Sequence, residues 1–308
     1  MNVDDYRKSY EAEARKAKTA ESRRSSRASA GSTPTTTREL VAAIKNTSSR
    51  PRARIAAIDV ASVAAVKTPS VMNLLIKVLA DPAEDNDVRE AALAALQQNS
   101  FSAAEFRRYA ADFRDALRSA ATDEDPELRD QAMDILALNG DEYVQRLLVE
   151  GLQDANVALV KPQRALQMIG YDVHAEHYGL LRDIVETSKQ PTVRRTALRL
   201  LAADSDAKDL FARIAADKTE DSAARSTSAI ALQSLAPEDF SNVARDVVLD
   251  DDDDDKVRAT FINAMSHGAV QGGADVGEKV RAITESSTPS KELKGAARQY
   301  MRVTGGDA

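Results

Sequence analysis

The chain has 308 residues, 43% of them hydrophobic and only 4% aromatic, with no Cys and no Trp. The missing Cys excludes disulfide frameworks, thiolate zinc sites and Cys nucleophiles, and a core of Ala, Leu, Val and Ile with few glycines favours closely packed helices over strands. The net charge is −7, yet residues 1–38 hold nine Lys and Arg against five Asp and Glu, so the acidity belongs to the rest of the chain and argues against nucleic-acid binding over the whole surface.

Residues 1–37 read as a basic, Ser/Thr-rich arm with a short helix over 3–18. Its stretch TAESRRSSRASAGSTPTTT carries almost nothing to bury and predicts disorder. Within it, RRSSRAS sets Ser25 and Ser26 beside arginines, a pattern that suits phosphorylation by a basophilic kinase. The arm is expected to regulate or tether. No apolar run approaches the ~20 residues that span a bilayer, so no membrane insertion is expected, and a cytoplasmic location is expected with it.

From residue 38 to 303 one phrase recurs. DNDVREAALAAL, DPELRDQAMDIL, QPTVRRTALRLL and DDKVRATFINAM each give a polar turn, a small apolar residue, a basic residue and an apolar stripe. Aligned on the basic residue, the anchors are Arg54, Arg89, Arg129, Lys161, Arg194, Arg225, Arg258 and Lys294. Three, four and seven places beyond each lies one face of a helix, as in Ala92, Leu93 and Leu96, with poorer copies at Lys161 and Lys294. Between these B helices lie amphipathic A helices: 38–47, 70–80, 106–121, 142–153, 177–187, 209–217, 240–249 and 276–285. A period of 30–40 residues predicts an all-α solenoid of about eight helical hairpins, each burying its stripe on its neighbours. Residues 304–308 read as a flexible end.

Three further stretches carry candidate chemistry. YDVHAEHYG gathers Asp172, His174, Glu176 and His177, which admits a divalent ion but fits a polar inter-helix turn better. The run Asp250–Asp255 lacks the alternation and glycine of a calcium loop, and reads as a solvated acidic loop capping the next helix. Arginines gather at 107, 108, 114 and 118, and at 194, 195 and 199, but the chain has no Trp, no Tyr stands beside the second cluster and the body is acidic, so nucleic acid is not the expected partner. GAVQGGADVG (268–277) reads as an inter-helix loop. No nucleophile–base motif, phosphate loop or metal motif appears, and the reading calls for no cofactor.

The repeated turn–Val–Arg phrase resembles HEAT repeats, including those of bilin-lyase-type proteins. TDEDPELRDQAMDIL carries the resemblance best, and it covers about 38–303. It implies a right-handed superhelix with a structural ladder in which Arg89, Arg129, Lys161, Arg194 and Arg258 meet acids such as Asp123, Asp154 and Asp251. It also implies a concave face lined by B helices. On that basis the expected function is a non-enzymatic scaffold or adaptor for a protein partner, with Glu90, Asp130, Asp134, Arg195 and Arg199 as contact residues. The alternative is a HEAT-like enzyme of the bilin lyase or isomerase type, or a HEAT-like DNA glycosylase.

Overall fold

The computed structural model describes residues 36–63, 65–267 and 273–305. The arm up to residue 35, with its expected helix and Ser25 and Ser26, lies outside the described residues, as does the end of the chain after 305. Among the described residues all regular structure is helical, with no strand and sixteen α-helices of two turns or more. No helix there is long and apolar enough to cross a membrane. The chain divides into two compact units, Met1–Phe113 and Arg114–Ala308.

The first unit holds α1 (Thr37–Lys45), α2 (Pro51–Ser62), α3 (Pro69–Ala80) and α4 (Asn86–Ser100). Local chemistry starts each one. Thr36 and Glu39 form a reciprocal capping box, Pro51 and Pro69 take first-turn positions where no N–H is needed, and Asp85 accepts from the Val88 N–H. The buried stripe includes Ile44, Ile58, Leu75, Leu79, Leu93 and Leu96, and α4 packs on both α2 and α3. Buried Asn99 ties α4 to the turn after α2: its Nδ2 donates to the Ser62 carbonyl at 3.0 Å and its Oδ1 accepts from the Val66 N–H at 2.9 Å. The expected helix over 106–121 is broken. A one-turn helix Ala103–Phe106 and a 3₁₀ turn Arg107–Tyr109 precede α5 (Ala110–Ala120), in which the division between units falls.

The second unit continues with α6 (Pro126–Leu138), α7 (Glu142–Gln153), α8 (Pro162–Ile169), α9 (Tyr178–Thr187) and α10 (Pro191–Leu200). Then come α11 (Lys208–Ala216), α12 (Ser222–Leu235), α13 (Pro237–Leu249), α14 (Asp255–His267), α15 (Ala274–Glu285) and α16 (Lys291–Thr304). Even-numbered helices are the B helices of the sequence pattern. Each packs on the next, α8 on α10, α10 on α12, α12 on α14 and α14 on α16, and one apolar core runs from Leu166 to Met301. Among the described residues of this unit, A helices pack on one another to any extent only toward the end, α11 on α13 and α13 on α15. Gly305 stops α16 in the left-handed conformation at φ 73°, where a side chain would be strained.

Candidate functional site

The repeated arginine is the fourth residue of its helix in α2, α4, α6, α10, α12 and α14. From there its guanidinium reaches back to the preceding A helix. Nε of Arg54, Arg89, Arg194 and Arg225 donates to the carbonyls of Ile44, Leu79, Val185 and Ala215 at 2.6–3.2 Å. The other two nitrogens of Arg54, Arg194 and Arg225 grip a carboxylate in the next turn: Glu84, Glu220 and Asp253. These acids lie five residues ahead of the next anchor. The Arg54 hydrogen bond holds the Glu84 carboxyl below its ordinary range, and the Glu220 hydrogen bond raises Arg194.

This inner ladder departs from the residues the sequence suggested. Asp81, Asp154, Asp217 and Asp250 end their A helices, and each accepts the N–H two residues on. Asp123 caps Asp125 in the same way, and its carbonyl accepts from Arg129 at 2.6 Å. Asp251 meets Arg258 of its own turn at 3.0 Å. Lys161 lies outside the register. Pro162 begins α8, so Lys161 is its N-cap and the fourth helical residue is Ala165. Arg129 accordingly finds no acid in the following turn and donates Nε to the Leu159 carbonyl at 3.0 Å. The acidic run is less solvated than expected: Asp253 is buried against Arg225, while Asp254 caps α14 through the Lys256 and Val257 N–H groups.

A second ladder joins A helices. Arg118, Arg182 and Arg245 each follow a buried residue (Leu117, Leu181, Ala244) and bind an acid leading the next A helix. The pairs are Arg118–Asp141 at 2.8 Å, Arg182–Asp204 at 2.7 Å and Arg245–Asp275 at 2.7 Å. In α7 the residue after buried Leu148 is Val149. Asp141 and Asp204 stand seven residues ahead of buried Leu148 and Phe211, and seven ahead of Leu181 stands His174. Between α7 and α9, Val149 and His174 thus replace the Arg and the Asp. No ion pair crosses there among the described residues.

A cavity of about 860 Å³ opens at this missing outer rung, lined by Glu142, Gln145, Arg146, Val149, Glu150, Gln153, His174, Glu176 and His177 with Gly140. That volume suits a small-molecule site. Gln145 and His177 are each 7% exposed. Both amide atoms of Gln145 and Nδ1 of His177 have no hydrogen-bond partner among the described residues. Such a buried orphan costs about 1–3 kcal/mol unless something satisfies it. Burial lowers the His177 pKa, against the opposing pull of Glu176, whose carboxylate stands 3.7 Å from Nε2. The His174 ring meets His177 edge-on at 5.9 Å, and Asp172 holds His174 Nε2 at 3.3 Å. Among the described residues no three His, Asp or Glu side chains converge as a metal would need. The sequence singled out His174, Glu176 and His177 as a turn, which they form, but not the buried ring. Gln145, Arg146 and Glu150 had no signal beyond the poor repeat copy at Lys161.

The expected contact residues lie on B helices and are engaged within the chain. Asp130 and Asp134 both bind Arg164, at 3.0 and 2.6 Å, and Tyr171 donates its hydroxyl to Asp134 at 2.8 Å. Arg195 stands 3.5 Å from Asp221, Arg199 donates to Thr196 at 3.4 Å, and Glu90 is half-buried on α4.

No family model matches the chain, and no curated protein matches it significantly. Solved structures do. Among them, human deoxyhypusine hydroxylase in complex with glycerol is similar over 80% of this chain and 99% of its own, at 11% identity and a TM-score of 0.33. So loose a likeness brings no substrate, residue or reaction to this chain. The expectation of a non-enzymatic scaffold or adaptor rested on the repeat pattern alone and is not kept. The similar structure is that of an enzyme, and a helical-repeat pattern is no ground for setting catalysis aside.

Proposed function

We propose that this chain is an enzyme built from HEAT-like helical hairpins, turning right-handed within each unit, that binds a small polar substrate in the cavity between α7 and the 172–177 turn. The observation that carries the reading is the pair of buried, unpartnered polar side chains, Gln145 and His177, beside that cavity. Burial holds His177 neutral near pH 7, the form that accepts a proton. In this reading Gln145 turns its amide into the cavity to orient the substrate, and Arg146, which makes no ion pair among the described residues, holds an electron-rich group. His177 takes a proton, and Glu176 stabilises the imidazolium that results. Proton transfer of this kind belongs to elimination and isomerisation, the lyase or isomerase class of the sequence resemblance.

The test follows the His177 ring by NMR in the full chain. Its pKa is lowered, so the native state favours the neutral ring. The stability it contributes is intact above the ordinary value of 6.5 and is lost as the pH falls below that and through the lowered value of the folded state. A panel of small carboxamides, lactams and hydroxy acids is then added at pH 7.5. Binders are expected to move the His177 signal in the native chain and not in Val149→Arg/His174→Asp, which rebuilds the outer rung across the cavity. A ring that titrates at or above 6.5, or a binder that the double variant accepts equally well, refutes the assignment.

A further inference from the structure

The inner ladder runs out at Arg258. The position five residues ahead of the next anchor, which holds Glu84, Glu220 and Asp253 elsewhere, holds Pro289 here. Arg258 is 3% exposed and has no carboxylate ahead of it. Its guanidinium is turned accordingly. Where Arg54, Arg89, Arg194 and Arg225 give Nε to the A-helix carbonyl, Arg258 donates Nη2 to Val248 at 3.1 Å and leaves Nε without a partner among the described residues. Two acids face it, and neither is a rung. Asp251 lies at 3.0 Å but is 71% exposed and shared with Lys279. Asp255 stays 3.7 Å away and accepts the Ser290 N–H at 2.6 Å. Compare Arg225, whose two terminal nitrogens meet both oxygens of buried Asp253 at 2.5 and 2.7 Å.

A cavity of about 420 Å³ stands at this place, with Arg258, Lys279, Asp251, Asp255, Ser286 and Thr288 in its wall. We infer that it is a binding site for a small carboxylate, which supplies from outside the rung that Pro289 cannot. The carboxylate pairs in two-pronged fashion with the Arg258 guanidinium, the geometry in which this side chain binds most strongly. Lys279 is the second cation, released from Asp251 as the ligand enters, and the Ser286 and Thr288 hydroxyls donate to the same anion. Asp251 then faces water, which its exposure already allows. The site is independent of the His177 cavity.

The experiment titrates sodium acetate into the full chain at constant ionic strength, with sodium chloride as the balancing salt, and reads the arginine Nε–Hε signals by NMR. A saturable shift of the Arg258 signal is expected. Pro289→Glu places a carboxylate at the rung from within, so its Arg258 signal is shifted before acetate is added and does not respond further. Lys279→Gln, a nearly isosteric change at a half-buried position of α15, is expected to weaken acetate binding while leaving the fold intact, and it serves if Pro289→Glu fails to fold. A shift that grows linearly with acetate, or that chloride reproduces, overturns the proposal. So does undiminished acetate binding in the variants.

Discussion

Arg225 and Asp253 define what the repeated arginine does. Each side chain is 2% exposed, and the pair is two-pronged, with the remaining guanidinium nitrogen bound to the Ala215 carbonyl. Every polar atom is satisfied, so the charge is tolerated in the interior; a buried ion pair is otherwise poor evidence of stability. Asp253→Ala strips the partner and leaves the cation buried. It is expected to lower the unfolding free energy by about 3–5 kcal/mol, measured by urea denaturation. Asp252→Ala, one residue away and exposed, is expected to change it by about 0.5 kcal/mol or less. Equal losses from the two would show that the acidic run acts through its summed charge and not through one buried contact. The arginine was legible from its recurrence. Its partner was not, because the Asp at each A-helix end recurs as regularly and draws the eye. That Asp is fixed by turn chemistry, accepting the N–H two residues on, while the acid three places later does the pairing.

At the scale of the element, the apolar stripe was the dependable signal. The anchor rule of three, four and seven places on selects residues that are buried in α2, α4, α6, α10, α12 and α14. Leu96 in α4 is wholly buried. Leu201 is too, although α10 ends at Leu200 and Leu201 opens a 3₁₀ turn that Asp204 terminates. Burial thus outlasts the helix that predicted it. Leu96→Ala and Leu201→Ala are each expected to lose about 2–5 kcal/mol in chemical denaturation, the transfer term plus the cavity left behind. A loss near zero at Leu201 would mean that the turn collapses to fill the space. The sequence failed where proline reset the register. Pro162 fixes the start of α8 and moves Lys161 out of the helix, so an alignment on basic residues slipped by four there. The candidate site lies beside that slip. Its signal, Val149 and His174 in place of an Arg and an Asp, becomes visible only once the outer ladder of A helices is known. Contacts between residues some 22–30 apart carry no local periodicity for a sequence reading to find.

At the scale of the molecule, stability in a chain of nearest-neighbour layers is distributed layer by layer. The layers of the second unit are not equivalent. Around α12 two inner rungs are complete, Arg194–Glu220 and Arg225–Asp253, and α14 and α16 share the most extensive helix contact in the unit. Across 154–177 the picture reverses. α8 has only eight residues, its ladder position is Ala165, and the outer rung between α7 and α9 is missing. Arg164 and Tyr171 still tie this region to Asp130 and Asp134 of α6, but a short helix with no rung of either ladder opens locally at lower free energy than the rest, and ligand sites are drawn from that end of the range. In native-state hydrogen exchange, amides of α8 and of the 170–177 turn are therefore expected to exchange faster than those of α14 and α16. The ratio should be about ten-fold or more, the factor that roughly 1.4 kcal/mol of local stability sets. Rebuilding the outer rung with Val149→Arg/His174→Asp should slow exchange in α8 and the turn and leave α14 and α16 unchanged, since coupling passes only between adjacent layers. Uniform protection from α7 to α16 would show that the unit opens as one body, and the cavity would then be a rigid gap with no closing motion available to Gln145.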